Sequence, residues 1–366
     1  MRGHYGAAIM HITSGLKILS ELRSKSPNSS LSNPSIIGRT SYVPIDVLCG
    51  LFSRLQAQAT VTTYQTGGTL FNIWPELVID PTKPVIFNSL SDAREMLEIY
   101  TFYYKQRSLE LHSQSLQGEV MDTTIQQSVT VTSLEAIALR DFALTLLENW
   151  SAGLEKFLHE NESTFTDRDR RGAAVLQLRK IDSIIALDII RLAEETTPDD
   201  HMEWDKYCPH FEQVVSLGES IIASPSSPPS FSPSPFSYSS SHPSPFTTTF
   251  SLDLGIVGSL FNVAARCRDP GIRRRAVYIL RTAAVQEGIW NSAVVGAVAE
   301  KWIEIEEEGL GVVNSYADVP ASARLAYFLP VFDIDRRSAV VYFSRVSGVS
   351  GVQVDSESVR TETFQW

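Results

Sequence analysis

The chain has 366 residues and a net charge of −11, with 43% hydrophobic and 20% charged side chains. That balance describes a globular protein, and at about 150 residues per domain it predicts two domains or one large helical array. Surplus acid disfavours a broad grip on a nucleic-acid backbone, and three scattered cysteines (Cys49, Cys208 and Cys267) exclude a disulfide framework or a structural zinc cluster.

Helical periodicity dominates. Tyr5, Ile9, Ile12, Leu16 and Leu19 place one apolar stripe along a first helix. A polar loop from Pro27 to Ser41 follows, then Pro44 sits well for a first turn before Leu48, Leu51, Phe52, Leu55 and Ala59. Gly67-Gly68, Pro75, Pro81 and Pro84 break the next stretch. Ser89 with Asp92 has the spacing of a capping box ahead of Leu90, Ala93, Leu97, Tyr100 and Tyr104. Thr132 with Glu135 forms a second box, opening a helix that carries Leu139, Phe142, Leu146 and Trp150. Asp167 opens another, with Ala174, Leu178, Ile181, Ile185 and Leu192 inward.

Residues 224–249 are Ser, Pro, Thr and aromatics with one histidine and no formal charge. Proline removes backbone donors and serine adds little to bury, so this segment reads as a disordered insertion. Helices then follow at about Leu252–Arg268, Ile272–Ala284 and Ser292–Glu308. Near the end the period changes to alternation, through Ala323, Leu325, Tyr327 and Leu329 and then Val340, Tyr342 and Ser344, flanking a polar turn at Asp333–Arg337. The expected fold is therefore all-α. It is a solenoid- or bundle-like array of antiparallel amphipathic helices with a small C-terminal β-hairpin. The expected organisation is a first helical part over 1–223, the insertion over 224–249, a second helical part over 250–345 and a flexible tail over 346–366. No continuous apolar run is long enough for a membrane span and no secretory signal is expected; reduced, intracellular thiols are the natural reading.

One segment carries a wider likeness. Leu254-Gly255-Ile256, Arg266-Cys267-Arg268-Asp269-Pro270, Arg273-Arg274-Arg275-Ala276 and Glu287-Gly288-Ile289-Trp290 occur in that order. Together they resemble the C-terminal regulatory region of fungal zinc binuclear-cluster, six-cysteine transcription factors. Earlier stretches are similar too, among them Gly15-Leu16-Lys17-Ile18-Leu19, Arg54-Leu55, Ala93-Arg94 and Tyr207 with Phe211. Where the family has prolines after the glycine, this chain has Gly258 and Ser259. Its three cysteines cannot furnish the six thiolates of the family's DNA-reading cluster.

The resemblance implies a non-catalytic regulatory domain in the nucleus, or alternatively the cytoplasm. It would bind other transcriptional regulators or a small inducer and would not contact nucleic acid directly. An interaction scaffold or silent truncated relative is the alternative, and an enzyme with an unrecognised site in a helical cavity is a second.

The same segment has a local physical account. Asp269-Pro270 makes a turn, and Pro270 helps start the following helix. Arg273, Arg274, Arg275 and Arg281 are expected on that helix's outer face, with Ile272, Ala276, Ile279, Leu280 and Ala283 inward. Glu300, Glu304, Glu306, Glu307 and Glu308 on the next helix are their expected partners. An ion-paired face is favoured over a nuclear-import signal, and that over DNA contact. His201, Cys208 and His210 beside Asp199, Asp200 and Asp205 match no metal-ligand spacing, and Trp204, Tyr207 and Phe211 among them read as core. No phosphate-binding glycine loop and no nucleophile elbow occurs. No catalytic, cofactor or metal residue is assigned.

Overall fold

The computed structural model describes residues 5–24, 43, 45–63, 80–81, 83–118, 125–190, 198–223, 249–251, 255–288, 290–333, 336–345 and 359–365. The chain divides into two compact units, Met1–Glu160 and Asn161–Trp366.

The first unit is helical, with α1 (Tyr5–Ser24), α2 (Ile45–Thr63), α3 (Leu90–Gly118) and α4 (Ile125–Asn161). Of the expected α1 stripe, Leu16 and Leu19 are buried with Cys49 of α2, and Ile12 packs around them with Phe52, Ile99 and Phe102; the side chains of Tyr5 and Ile9 lie outside the described set. The box at the start of α3 forms in modified geometry. Ser89 Oγ accepts from the Asp92 N–H at 3.1 Å, while the shorter Asp carboxylate accepts from Asn88 N–H at 3.2 Å. The expected start at Thr132 is corrected, because α4 begins at Ile125. Residues 125–131 contain neither Gly nor Pro, and extending an existing helix costs far less than nucleating one.

Trp150 anchors the centre of this unit. Its Nε1–H donates to Ala93 O at 2.8 Å, and its ring meets Phe87 edge-on at 6.2 Å. The chain before α3 crosses α4 at Gly153, where a Cβ would stand 2.6 Å from Val85 O. Any larger residue there would push two backbones apart.

The second unit holds α5 (Asp167–Ile190), α6 (Cys208–Ala223), α7 (Val257–Arg266), α8 (Pro270–Thr282) and α9 (Ser292–Glu307), with a 3-10 stretch at Pro198–Tyr207 ahead of α6. Thr166 and Asp169 cap α5 reciprocally, the Thr166 hydroxyl oxygen accepting from Asp169 N–H and the carboxylate from Thr166 N–H. One core joins Leu178 and Ile181 of α5, Phe211 and Val214 of α6, Leu260 of α7, Leu280 of α8 and Trp302 of α9. Segments on both sides of 224–249 thus share one core, and the unit boundary falls at Glu160/Asn161. The insertion itself, apart from Thr249, lies outside the described residues.

Two small sheets complete this unit. Strands β1 (Thr249–Ser251), β2 (Val285–Glu287) and β3 (Trp290–Asn291) pair in that order, β1 parallel and β3 antiparallel to β2. Helix α7 consequently starts at Val257 rather than near Leu252. Gly288 follows β2 with φ +55°, a left-handed conformation that a side chain resists, and its N–H donates to Ser251 O at 2.8 Å.

The C-terminal hairpin forms from β4 (Tyr327–Asp333) and β5 (Ser338–Ser344), in register from Tyr327↔Ser344 to Asp333↔Ser338. Ala339, Val341 and Phe343 are its buried set, while Tyr342 faces out. The flexible tail expected over 346–366 is corrected for Val359–Gln365. These residues form β6, a third antiparallel strand running from Ser344↔Val359 to Ser338↔Gln365. Its polar composition suits an edge, and Arg360 and Glu362 reach Glu308 and Lys301. Residues 346–358 lie outside the described set. The helix-dominated fold with a small C-terminal antiparallel sheet therefore stands. No helix among the described residues is long and apolar enough to cross a membrane.

Candidate functional site

The family-like segment builds the link between α7 and α8. Asp269 has extended φ/ψ, and its Oδ1 accepts from Gly271 N–H at 2.9 Å and Ile272 N–H at 3.0 Å; Pro270 fills the first turn, where no N–H is required. The chain therefore turns sharply after Arg266 and sends its arginines in different directions.

Arg273 does not lie on the outer face. It and Arg268 are fully buried, as is Glu306 of α9. Glu306 Oε1 accepts from Arg268 Nη2 at 2.8 Å, Trp302 Nε1 at 3.0 Å and Leu325 N–H at 2.8 Å, and Oε2 accepts from Arg273 Nη2 at 2.8 Å. Arg273 also donates to Ala264 O at 3.1 Å through Nη2, and Arg268 Nη1 to Arg266 O at 2.6 Å. Burial alone would raise the Glu306 carboxyl, but the charges of Arg268 and Arg273 with their hydrogen bonds hold it below the usual range. Burial lowers the Arg268 guanidinium, with Glu306 opposing the shift. The spacing Arg273, Ala276, Val277 and Leu280 is the inward stripe of α8, so the rule that arginine stays outside yields here to a buried partner.

A third fully buried guanidinium adjoins this cluster. Arg324 grips Asp205 with both terminal nitrogens, at 2.9 and 2.8 Å, while Nε donates to Val319 O at 2.9 Å. Arg266 lies over the Trp204 ring at 5.0 Å and the Trp302 ring at 5.6 Å, and burial lowers it to about 10. Trp302 meets Phe261, Phe328 and Phe343 edge-on. Trp204, Tyr207 and Phe211 form the aromatic packing that their spacing indicates.

The exposed arginines find the expected acidic helix only in part. Arg274 meets Glu307 at 2.5 Å and Arg281 lies 3.8 Å from Glu300. Arg275 instead turns to α6, pairing with Glu212 at 2.6 Å and Glu219 at 2.8 Å. Glu304 pairs with Lys301 and Glu308 with Arg360.

Glu287 and Trp290 sit on the short strands facing α7. Glu287 is buried, and its two oxygens accept from the N–H groups of Gly255, Ile256 and Val257 at 2.9, 2.8 and 3.1 Å. A side chain from β2 thus caps α7 across the fold, where the positive end of the helix favours an anion. Burial raises this carboxyl and the three N–H donors oppose the rise. Trp290 is half-buried against the core. The arrangement immobilises α7, α8 and α9 around charge. Nothing in it aligns a nucleophile with a base, and among the described residues no group of three or more His, Cys, Asp or Glu could hold a metal ion.

Within the first unit, α3 and α4 enclose a groove of about 540 Å³ lined by Tyr103, Leu111, Leu139 and Phe142 together with Arg107 and Glu110. Tyr103 and Phe142 lie 6.1 Å apart. The aromatic residues of α3 were legible in sequence, but their pairing with α4 was not.

No protein-family model and no solved structure matches the chain. In an alignment of 430 residues the chain is 24% identical to the "Aspercryptin biosynthesis cluster-specific transcription regulator atnN" of Emericella nidulans. The alignment takes in 100% of this chain and 65% of the length of that relative. The likeness is to a regulator of transcription.

Proposed function

We propose that this chain is the regulatory part of a fungal zinc binuclear-cluster transcription regulator, acting without catalysis by binding other regulators or a small inducer. The observation that carries this reading is the likeness to a cluster-specific transcription regulator along the whole chain. Support comes from the arginine segment, whose charges are answered by Glu306, Glu307, Glu212 and Glu219. On this reading a segment so occupied serves as internal framework and is not itself a DNA contact. The nucleus is the compartment in which such a chain works.

A tethered reporter assay tests the proposal. Fused to an unrelated DNA-binding domain, the chain should change reporter output relative to that domain alone. Equal output under all growth conditions tried would contradict a regulatory role.

A further inference from the structure

Cys208 opens α6 and Cys267 follows the last residue of α7, and their Sγ atoms lie 4.0 Å apart although 59 positions separate them in sequence. A disulfide needs the sulfurs at about 2.0 Å, so closure asks the two Sγ atoms to approach by about 2 Å. The two thiols are not equivalent. Cys208 is half-buried and stands at the start of a helix, while Cys267 is fully buried and faces it. The Cys267 thiol donating to Cys208 Sγ holds Cys208 below the usual thiol range; burial, Asp205 and Asp269 act against this, and Arg324 with it. The same hydrogen bond, with burial, pushes Cys267 up, opposed by the Asp269 N–H. One partner is thus the accessible nucleophile and the other a protected resolving thiol.

We propose that Cys208 and Cys267 form a peroxide-responsive modification site that closes to an intramolecular disulfide. The Cys208 thiolate attacks one oxygen of hydrogen peroxide. The O–O bond breaks, sulfur is oxidised to sulfenic acid, and the departing hydroxide takes up a proton as water. Cys267 then gives up its proton and its sulfur attacks Cys208 Sγ. The S–O bond breaks, hydroxide leaves and is protonated to a second water, and the S–S bond forms. Two thiols and one peroxide become one disulfide and two waters. The bond ties the start of α6 to the turn that carries Arg268 into the Glu306 cluster, so oxidation state bears directly on the framework of the second unit. This inference stands apart from the regulatory reading.

The test uses the reduced full chain with hydrogen peroxide as the probe. Intact mass should fall by two hydrogens, non-reducing peptide mapping should link the Cys208 and Cys267 peptides, and Tm should rise by roughly 5 °C or more. Cys267→Ser should accumulate a dimedone-trapped sulfenic acid at Cys208, and Cys49→Ser should oxidise at the wild-type rate. If Cys267→Ser does not fold, Cys267→Ala and the wild-type peptide map decide. Crosslinks between chains, pairing through Cys49, or Cys208 passing to sulfinic acid in the wild type with no disulfide would each overturn the proposal.

Discussion

The two units bury their polar groups in different ways. Among the described residues the first unit buries Ser53 and Gln56, while the second buries Arg268, Arg273, Arg324, Glu287 and Glu306 with the aromatics around them. Apart from the Trp150 hydrogen bond to Ala93 O and the tight approach at Gly153, the first core is specified by volume and stripe, and volume-conserving apolar swaps there cost little. The second is specified by hydrogen-bond geometry: one carboxylate, Glu306, answers two guanidiniums, an indole and a backbone N–H at once. A buried ion cluster is weak evidence for great stability, because desolvation opposes its Coulomb energy. It is strong evidence that the unit depends on each member being present.

The comparison can be broken most sharply at Glu306. Glu306→Gln removes the anion that two buried guanidiniums share, leaving Arg273 only the longer contact to Glu307 at 3.8 Å, and should cost about 3–5 kcal/mol in chemical unfolding of the second unit. Glu306 also gives the contrast a pH signature. Its folded pKa is lowered, so its contribution is present above the unfolded glutamate value and is lost as pH falls through the folded one. Next in size, Arg268→Lys keeps the charge but loses the fork that reaches both Arg266 O and Glu306, and it should cost about 2–3 kcal/mol. A loss below about 0.5 kcal/mol would mean that charge alone suffices.

Asp182 sharpens the comparison from another side. Its carboxylate accepts from the Ser259 hydroxyl, and burial pushes its pKa up to about 6. The folded value is raised, so this group's contribution is complete below the unfolded value of about 3.9 and is lost as pH rises through about 6. Asp182→Asn should remove that decline, leaving the variant about 1–3 kcal/mol more stable than the wild type at pH 7. Parallel Tm–pH curves for the two proteins would refute this. The smallest effect belongs to the first unit, where Leu97→Met conserves volume in an apolar site and should cost less than about 1.5 kcal/mol.

What sequence could reveal follows the range of the interaction concerned. The α1 stripe, the Ser89 and Asp92 cap and the Asp269-Pro270 turn rest on neighbours within four residues, and each forms. Glu287 capping α7 joins residues some 30 positions apart, and Arg324 with Asp205 joins residues 119 apart; no local pattern marks either. Arg273 was misplaced by residue type, although its spacing with Ala276, Val277 and Leu280 was the correct signal. Strand β6 reads as a frayed tail because its alternation is weak: Thr361, Thr363 and Gln365 share one face with Val359, and on the other Phe364, which packs against the core, stands beside Arg360 and Glu362. The family-like motif was legible as a likeness, whereas its physical role as the frame of a buried ion cluster required the fold.

We propose that the arginine segment is framework and that this chain takes part in transcription regulation without reading DNA itself. Fluorescence anisotropy of the full chain against a labelled pool of random duplexes, at physiological salt, tests it directly. The account predicts no sequence-selective binding, and the same weak, salt-sensitive signal from the Arg274→Ala, Arg275→Ala double variant. Tight, selective binding that this double variant abolishes would contradict it.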